Sequence, residues 1–105
     1  MKIAVPYENG QIFQHFGHTA QFKLYEVENN AVVSSQIVDT NGSGHGALAG
    51  FLSAQGVNLL ICGGIGGGAQ VALAQAGIQL MGGVGGAADE RVNEYLAGAL
   101  SYNPD

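Results

Sequence analysis

Basic side chains are scarce in this chain. Lys and Arg total 3 against 8 Asp and Glu, for a formal net charge of −5. Such a surface repels phosphate backbones, so nucleic acid is not an expected partner. Charged residues of either sign make up 10% of the 105 residues, against about 25% in an ordinary domain, while hydrophobic residues make up 47%. That balance excludes a long disordered tract. The single cysteine, Cys62, excludes an internal disulfide, a Cys-x-x-Cys redox pair and a multi-thiolate structural zinc site. The opening Met1-Lys2-Ile3-Ala4-Val5-Pro6 is too short an apolar run for a secretory signal, and no apolar stretch is long enough to span a bilayer. A cytoplasmic protein without membrane association is expected. Glycine alone is in excess, 18 residues or roughly 17% against a usual ~7%, without a collagen period.

The length fits one domain over residues 1–105. Area scaling buries about 65% of the unfolded surface, enough for a core without staples. Lys2–Pro6 reads as a buried strand stopped by proline. Tyr7–Ala20 is a long polar, glycine-punctuated connection, and connections of that length usually serve a function. Gln21–Glu28 and Ala31–Asp39 read as strands joined by Asn29-Asn30, since asparagine tolerates the positive φ of a tight hairpin. Thr40–Gly46 is a Gly/Ser/Asn loop holding His45. Ala47–Gln55 reads as a helix, with Leu48, Phe51 and Leu52 on one face and Gly56 as its stop.

The second half repeats itself. The apolar run Val57–Cys62 leads into Gly63-Gly64-Ile65-Gly66-Gly67-Gly68 and a helix over Ala69–Ala76. Ile78–Met81 leads into Gly82-Gly83-Val84-Gly85-Gly86 and a helix over Ala87–Leu100. This is the βαβα pattern of a parallel sheet. With right-handed crossovers, the expected fold is α/β, RNase H-like: a five-stranded mixed sheet of order 3-2-1-4-5, strand 2 antiparallel, with helices on its faces.

That topology sends His15, His18, His45 and Cys62 towards one sheet edge, the carboxyl end where open α/β sheets bind ligands. His15 and His18, three apart on a loop, suit a transition metal. Solvated histidines around a tucked Phe16 are the plainer alternative. His45, between two glycines, has little packing to do. For Cys62 a small buried hydrophobe at a strand end competes with the role of soft ligand. Gly64, Gly66, Gly83 and Gly85 would let backbone N–H groups at two helix N-termini cradle an anion; tight turns are the competing use of these glycines. Gly64-Ile65-Gly66-Gly67-Gly68-Ala69 also fits a dinucleotide fingerprint, but the carboxylate expected near 81–83 is absent. A nucleotide or small-anion-binding regulatory module is therefore the alternative function. A hydrolase using Cys62 with His45 lacks an orienting carboxylate, and no catalytic residues are expected.

The segments His15-Phe16-Gly17-His18 with Phe22, Gly44-His45-Gly46, Ile61-Cys62-Gly63-Gly64-Ile65-Gly66, Ala76-Gly77-Ile78 and Tyr95-Leu96-Ala97-Gly98 together resemble the dinitrogenase iron–molybdenum cofactor biosynthesis family. That family includes NifX, the NafY core and the carboxyl-terminal domain of NifB. The likeness covers nearly the whole chain. It implies an RNase H-like fold and the carrying or delivery of a metal–sulfur cluster, iron–sulfur or molybdenum-containing, with His15 as the leading ligand. It further implies protein partners that donate and accept the cluster. The radical-SAM cysteine motif is missing, so the chain is not a NifB-like synthase.

Overall fold

Alternation of side chains along three neighbouring strands builds two cores, one on each face of the sheet. The structure, a computed structural model, describes residues 1–41 and 47–102. The strands are β1 (Lys2–Glu8), β2 (Gln11–Ile12), β3 (Gln21–Glu28), β4 (Ala31–Asp39), β5 (Leu59–Ile61) and β6 (Gln79–Met81). The helices are α1 (Leu48–Ala54), α2 (Gly67–Gln75) and α3 (Ala88–Leu96), with a 3₁₀ turn over Phe16–His18.

The sheet path is β4-β3-β1-β5-β6, with β2 paired to β1 off that path. β3 is antiparallel to β1 and β4, while β5 is parallel to β1 and β6. The five strands on that path thus follow the expected order, but the sheet has six strands rather than five, the short β2 being the addition. β2 arises from Asn9 (φ 50°) and Gly10 (φ 83°), an Asn-Gly pair that folds the chain back on β1. Asn-Gly is a strong hairpin signal, and it lies inside the stretch expected to be irregular. The Asn29-Asn30 turn has the positive φ expected of it, 53° and 63°.

Odd and even positions divide cleanly between the faces, as a period of two requires. Ile3, Val5, Tyr25, Val27, Leu59 and Ile61 meet Ala88 and Val92 of α3. Ala4, Leu24, Leu60 and Cys62 meet Leu48 and Leu52 of α1 and Leu73 of α2.

Two helix ends depart from the sequence reading. α2 starts at Gly67, inside the glycine run, because Gly66 is extended (φ −77°, ψ 159°) and caps it. α3 stops at Leu96 rather than Leu100. Gly98 takes φ 75°, and the amides of Gly98 and Ala99 fold back to the carbonyls of Tyr95 and Glu94, at 3.0 and 2.8 Å. This is a glycine stop written into Ala97-Gly98.

Candidate functional site

The connection from β1 to β3 crosses the carboxyl ends of β5 and β6 and pairs with both glycine turns. Ile12 N donates to Gly86 O at 2.9 Å. Gly64 N donates to Gln14 O at 3.1 Å, and Phe16 N returns a bond to Gly64 O at 3.2 Å, so His15 and Gly64 form a short parallel bridge. Phe16, 2% exposed, then plunges into the core against Phe22. Its burial turns His15 and His18 outward at the two ends of one 3₁₀ turn, where His18 N donates to His15 O at 2.9 Å. The buried hydroxyl of Thr19 donates to Phe16 O at 2.6 Å and that of Thr40 to Thr19 O at 3.0 Å, which fixes the turn from below.

A cleft of about 630 Å³ opens between this turn and the N-terminus of α2. Gln14 to His18 form one wall; Gly64, Ile65, Gly66, Gly68, Ala69 and Ala72 form the other. Among the described residues no Asp, Glu, Lys or Arg lines it. The first-turn amides of α2, from Gly67 to Ala69, precede the first N–H that has an acceptor within the helix, and they carry the positive end of its dipole. The cleft therefore combines two exposed imidazoles, a positive backbone terminus and an apolar floor.

The sequence-derived candidates separate in space. His15 and His18 share the cleft. His45 lies outside the described residues. Cys62 is fully buried among Leu60, Leu73 and Leu48, and does not line the cleft. It follows Leu60 in the period of two and so points beneath the helices. Burial pushes its thiol up to about 12, which keeps it protonated at neutral pH. In this position the side chain packs as a small hydrophobe.

The four glycines separate in the same way. Gly64 and Gly66 line the cleft, but Gly83 and Gly85 do not. The amide of Gly64 is taken by Gln14, that of Gly83 by Gly63 O at 3.2 Å, and the carbonyl of Gly85 accepts from Arg91 Nε at 2.9 Å. A Cβ at Gly63 would overlap the Gln14 side chain, and one at Gly64 would come within 3.0 Å of Gln14 O. The first run of glycines thus makes room for the protein's own crossing segment at Gln14. Gln14, Phe16, Gly17, Gly68, Ile65, Ala69 and Ala72 also line the cleft and were not among the expected site residues. For the last three the signal was available, since they sit in and just after the glycine turn.

Among the described residues no three His, Cys, Asp or Glu side chains converge to hold a metal ion. An ion that needs a chelating cage does not fit this donor set. A preassembled anionic cluster that brings most of its own ligands does fit, because it needs only one or two imidazoles and backbone N–H groups.

The family described as dinitrogenase iron-molybdenum cofactor matches residues 1–98. The chain belongs to that family. An uncharacterized protein of Methanocaldococcus jannaschii, MJ0580, is 32% identical, with 95% of this chain and 89% of that protein covered. The crystal structure of PH0822 superposes with a TM-score of 0.93 at 26% identity, over 100% of this chain and 96% of that one. The apo form of the orange protein of Desulfovibrio gigas superposes at 0.82 with 26% identity, over 97% and 92%. The whole-chain likeness places this member of the dinitrogenase iron-molybdenum cofactor family among proteins of the same mixed α/β build. No helix among its described residues is long and apolar enough to cross a membrane.

Proposed function

We propose that the cleft holds an anionic metal–sulfur cluster, or a precursor of one, as transient cargo passed between a donor and an acceptor protein. The observation that carries this reading is the juxtaposition of His15 and His18 with the N-terminus of α2 across an apolar floor. His15 binds a metal of the cluster, His18 supports it from the same turn, and the α2 amides with Gly66 accept the negative charge of the sulfides. Two imidazoles without a thiolate hold cargo less permanently than a cysteine cage, which suits a carrier that must release it. The family supports cofactor biosynthesis or binding as the context. The RNase H-like description of the sheet and a non-enzymatic role belong to the same reading. Whether His45 joins the site is part of the proposal too.

Anaerobic reconstitution with an iron–sulfur or molybdenum–sulfur cluster tests it. Binding should give visible charge-transfer absorption with stoichiometric metal, and His15→Ala should abolish most of it, His18→Ala less. Saturable binding of nucleotide with no uptake of cluster would instead establish the small-anion alternative and overturn this reading.

A further inference from the structure

The long edge of the sheet is open, and its sequence is complementary to itself. Among the described residues β4 pairs only with β3, and of its nine residues only Val38 is half-buried. Val32, Val33 and Ile37 are 37%, 55% and 50% exposed. Register gathers these three on one side. Val32 lies opposite Val27 and Ile37 opposite Lys23, positions in the same alternation as Tyr25, which packs under α3. The ladder shifts between Glu26 and Val27, leaving Val33 as an extra residue beside Val32. Two residues of a bulged strand face one on the partner, so Val33 joins the same side.

Soluble proteins blunt such edges with lysine, proline, charge or bulges. Between Ala31 and Val38 there is no charged residue and no proline. The bulge is the one such device on β4 and sits towards its start, leaving Ser34 to Val38 regular. The opposite edge, β6, has only three residues and offers much less.

The occupant is chosen by the symmetry of the strand. Outward from Ser35 the chemistry repeats in both directions up to the bulge: Ser34 and Gln36 are polar, Val33 and Ile37 apolar. An antiparallel copy turned about a two-fold axis through Ser35 puts Val33 opposite Ile37 twice, and Asp39 opposite Ala31. No two like charges face each other, which matters for a chain of net charge −5. Moving the axis by one residue, to Gln36, would set Ile37 against Ser35 and Val33 against Asp39, so the apolar pairs fix the register.

We infer that β4 is a homodimer interface in which two copies pair antiparallel about Ser35, joining their sheets edge to edge and covering Val32, Val33 and Ile37. This surface contributes no residue to the cleft, and the inference is independent of what the cleft binds.

Sedimentation velocity on the full chain tests it, since the expected species has twice the 10.7 kDa chain mass at high concentration. Val33→Lys and Ile37→Lys should each return the chain to single-copy mass with an unchanged circular dichroism spectrum. Ser35→Cys would meet itself across the axis at about 4.5–5.5 Å between Cα atoms, within disulfide reach, and should oxidise to a covalent dimer. Ser34→Cys, whose own copy lies diagonally at about 7–8 Å, should not. A chain that stays at single-copy mass, a dimer that survives both lysine variants, or cross-linking at Ser34 equal to that at Ser35 would each overturn the inference.

Discussion

Gln14 lies across Gly63, and the missing side chain of the glycine is what lets it do so. From there its Nε2 donates to Val84 O at 3.2 Å and Ile12 O at 3.1 Å, so one side-chain amide joins the crossing strand to the second glycine turn. Gly63→Ala should push the Gln14 side chain aside and break the same two bonds that Gln14→Ala removes. Each variant should lose about 1 kcal/mol in urea unfolding. The double variant should cost clearly less than the sum, because the second substitution has no bond left to break. Additive losses would show that Gln14 and Gly63 act separately.

Phe16 anchors the turn that carries both cleft histidines. Its ring sits 6.0 Å from that of Phe22, which lies 6.1 Å from that of Phe51 on α1. Phe16→Ala should therefore cost about 3–5 kcal/mol, the range for emptying a buried phenylalanine site. The ring-proton resonances of His15 and His18 should also shift or broaden, since nothing else on the turn reaches so far into the core. Phe16→Leu should keep most of the stability.

The limits of reading this chain from sequence follow the same physics. The five strands of the main path and their order came from patterns the sheet must satisfy: β-branched runs, an Asn-Asn turn, and strands handing over to helices at glycine. The pairing of Gln14 with Gly63 and Gly64 joins residues about fifty apart, and no local pattern announces it. A glycine run looks the same whether it makes room for a ligand or for another part of the chain. Cys62 was ambiguous for a similar reason: the last residue of a buried strand can face either way until its register with Leu60 and Ala4 is known.

Cys62 makes stability depend on alkaline pH. Its thiol rises from the usual 9.0 to about 12 on folding because burial disfavours the thiolate. The folded state thus holds the proton more tightly, and the stabilisation is complete below the ordinary thiol pKa. Above it, stability should fall by about 1.4 kcal/mol per pH unit until the folded value is reached. Denaturant melts from pH 8 to 11 should show this component in the wild type and not in Cys62→Ala. A thiol reagent at pH 8 should label the native protein only as fast as it unfolds.

The start of α3 is tied to the sheet through Asp89, which accepts from Lys23 Nζ at 2.8 Å and Tyr25 Oη at 2.7 Å. The Lys23 bond, then the Tyr25 bond, hold its carboxyl below the usual Asp range. A lowered folded pKa adds stability above the ordinary carboxylate range and loses it as pH falls through the folded value. Tyr25 is shifted the other way, first by burial and then by Asp89. Its contribution holds below the ordinary tyrosine range and fades as pH rises beyond it. Asp89→Asn should therefore cost most at neutral pH, though only about 1 kcal/mol or less, because the carboxylate side is well exposed to water. The gap to wild type should begin to narrow below about pH 4 and close only as pH falls through the lowered folded value. Much of the Tyr25 share of the alkaline loss should persist in Asp89→Asn, since burial is its first cause, and should disappear in Tyr25→Phe, which leaves the Cys62 share in place. Melts of the three proteins from pH 3 to 11 measure both limbs, and an acid limb unchanged by Asp89→Asn would assign it to another carboxylate.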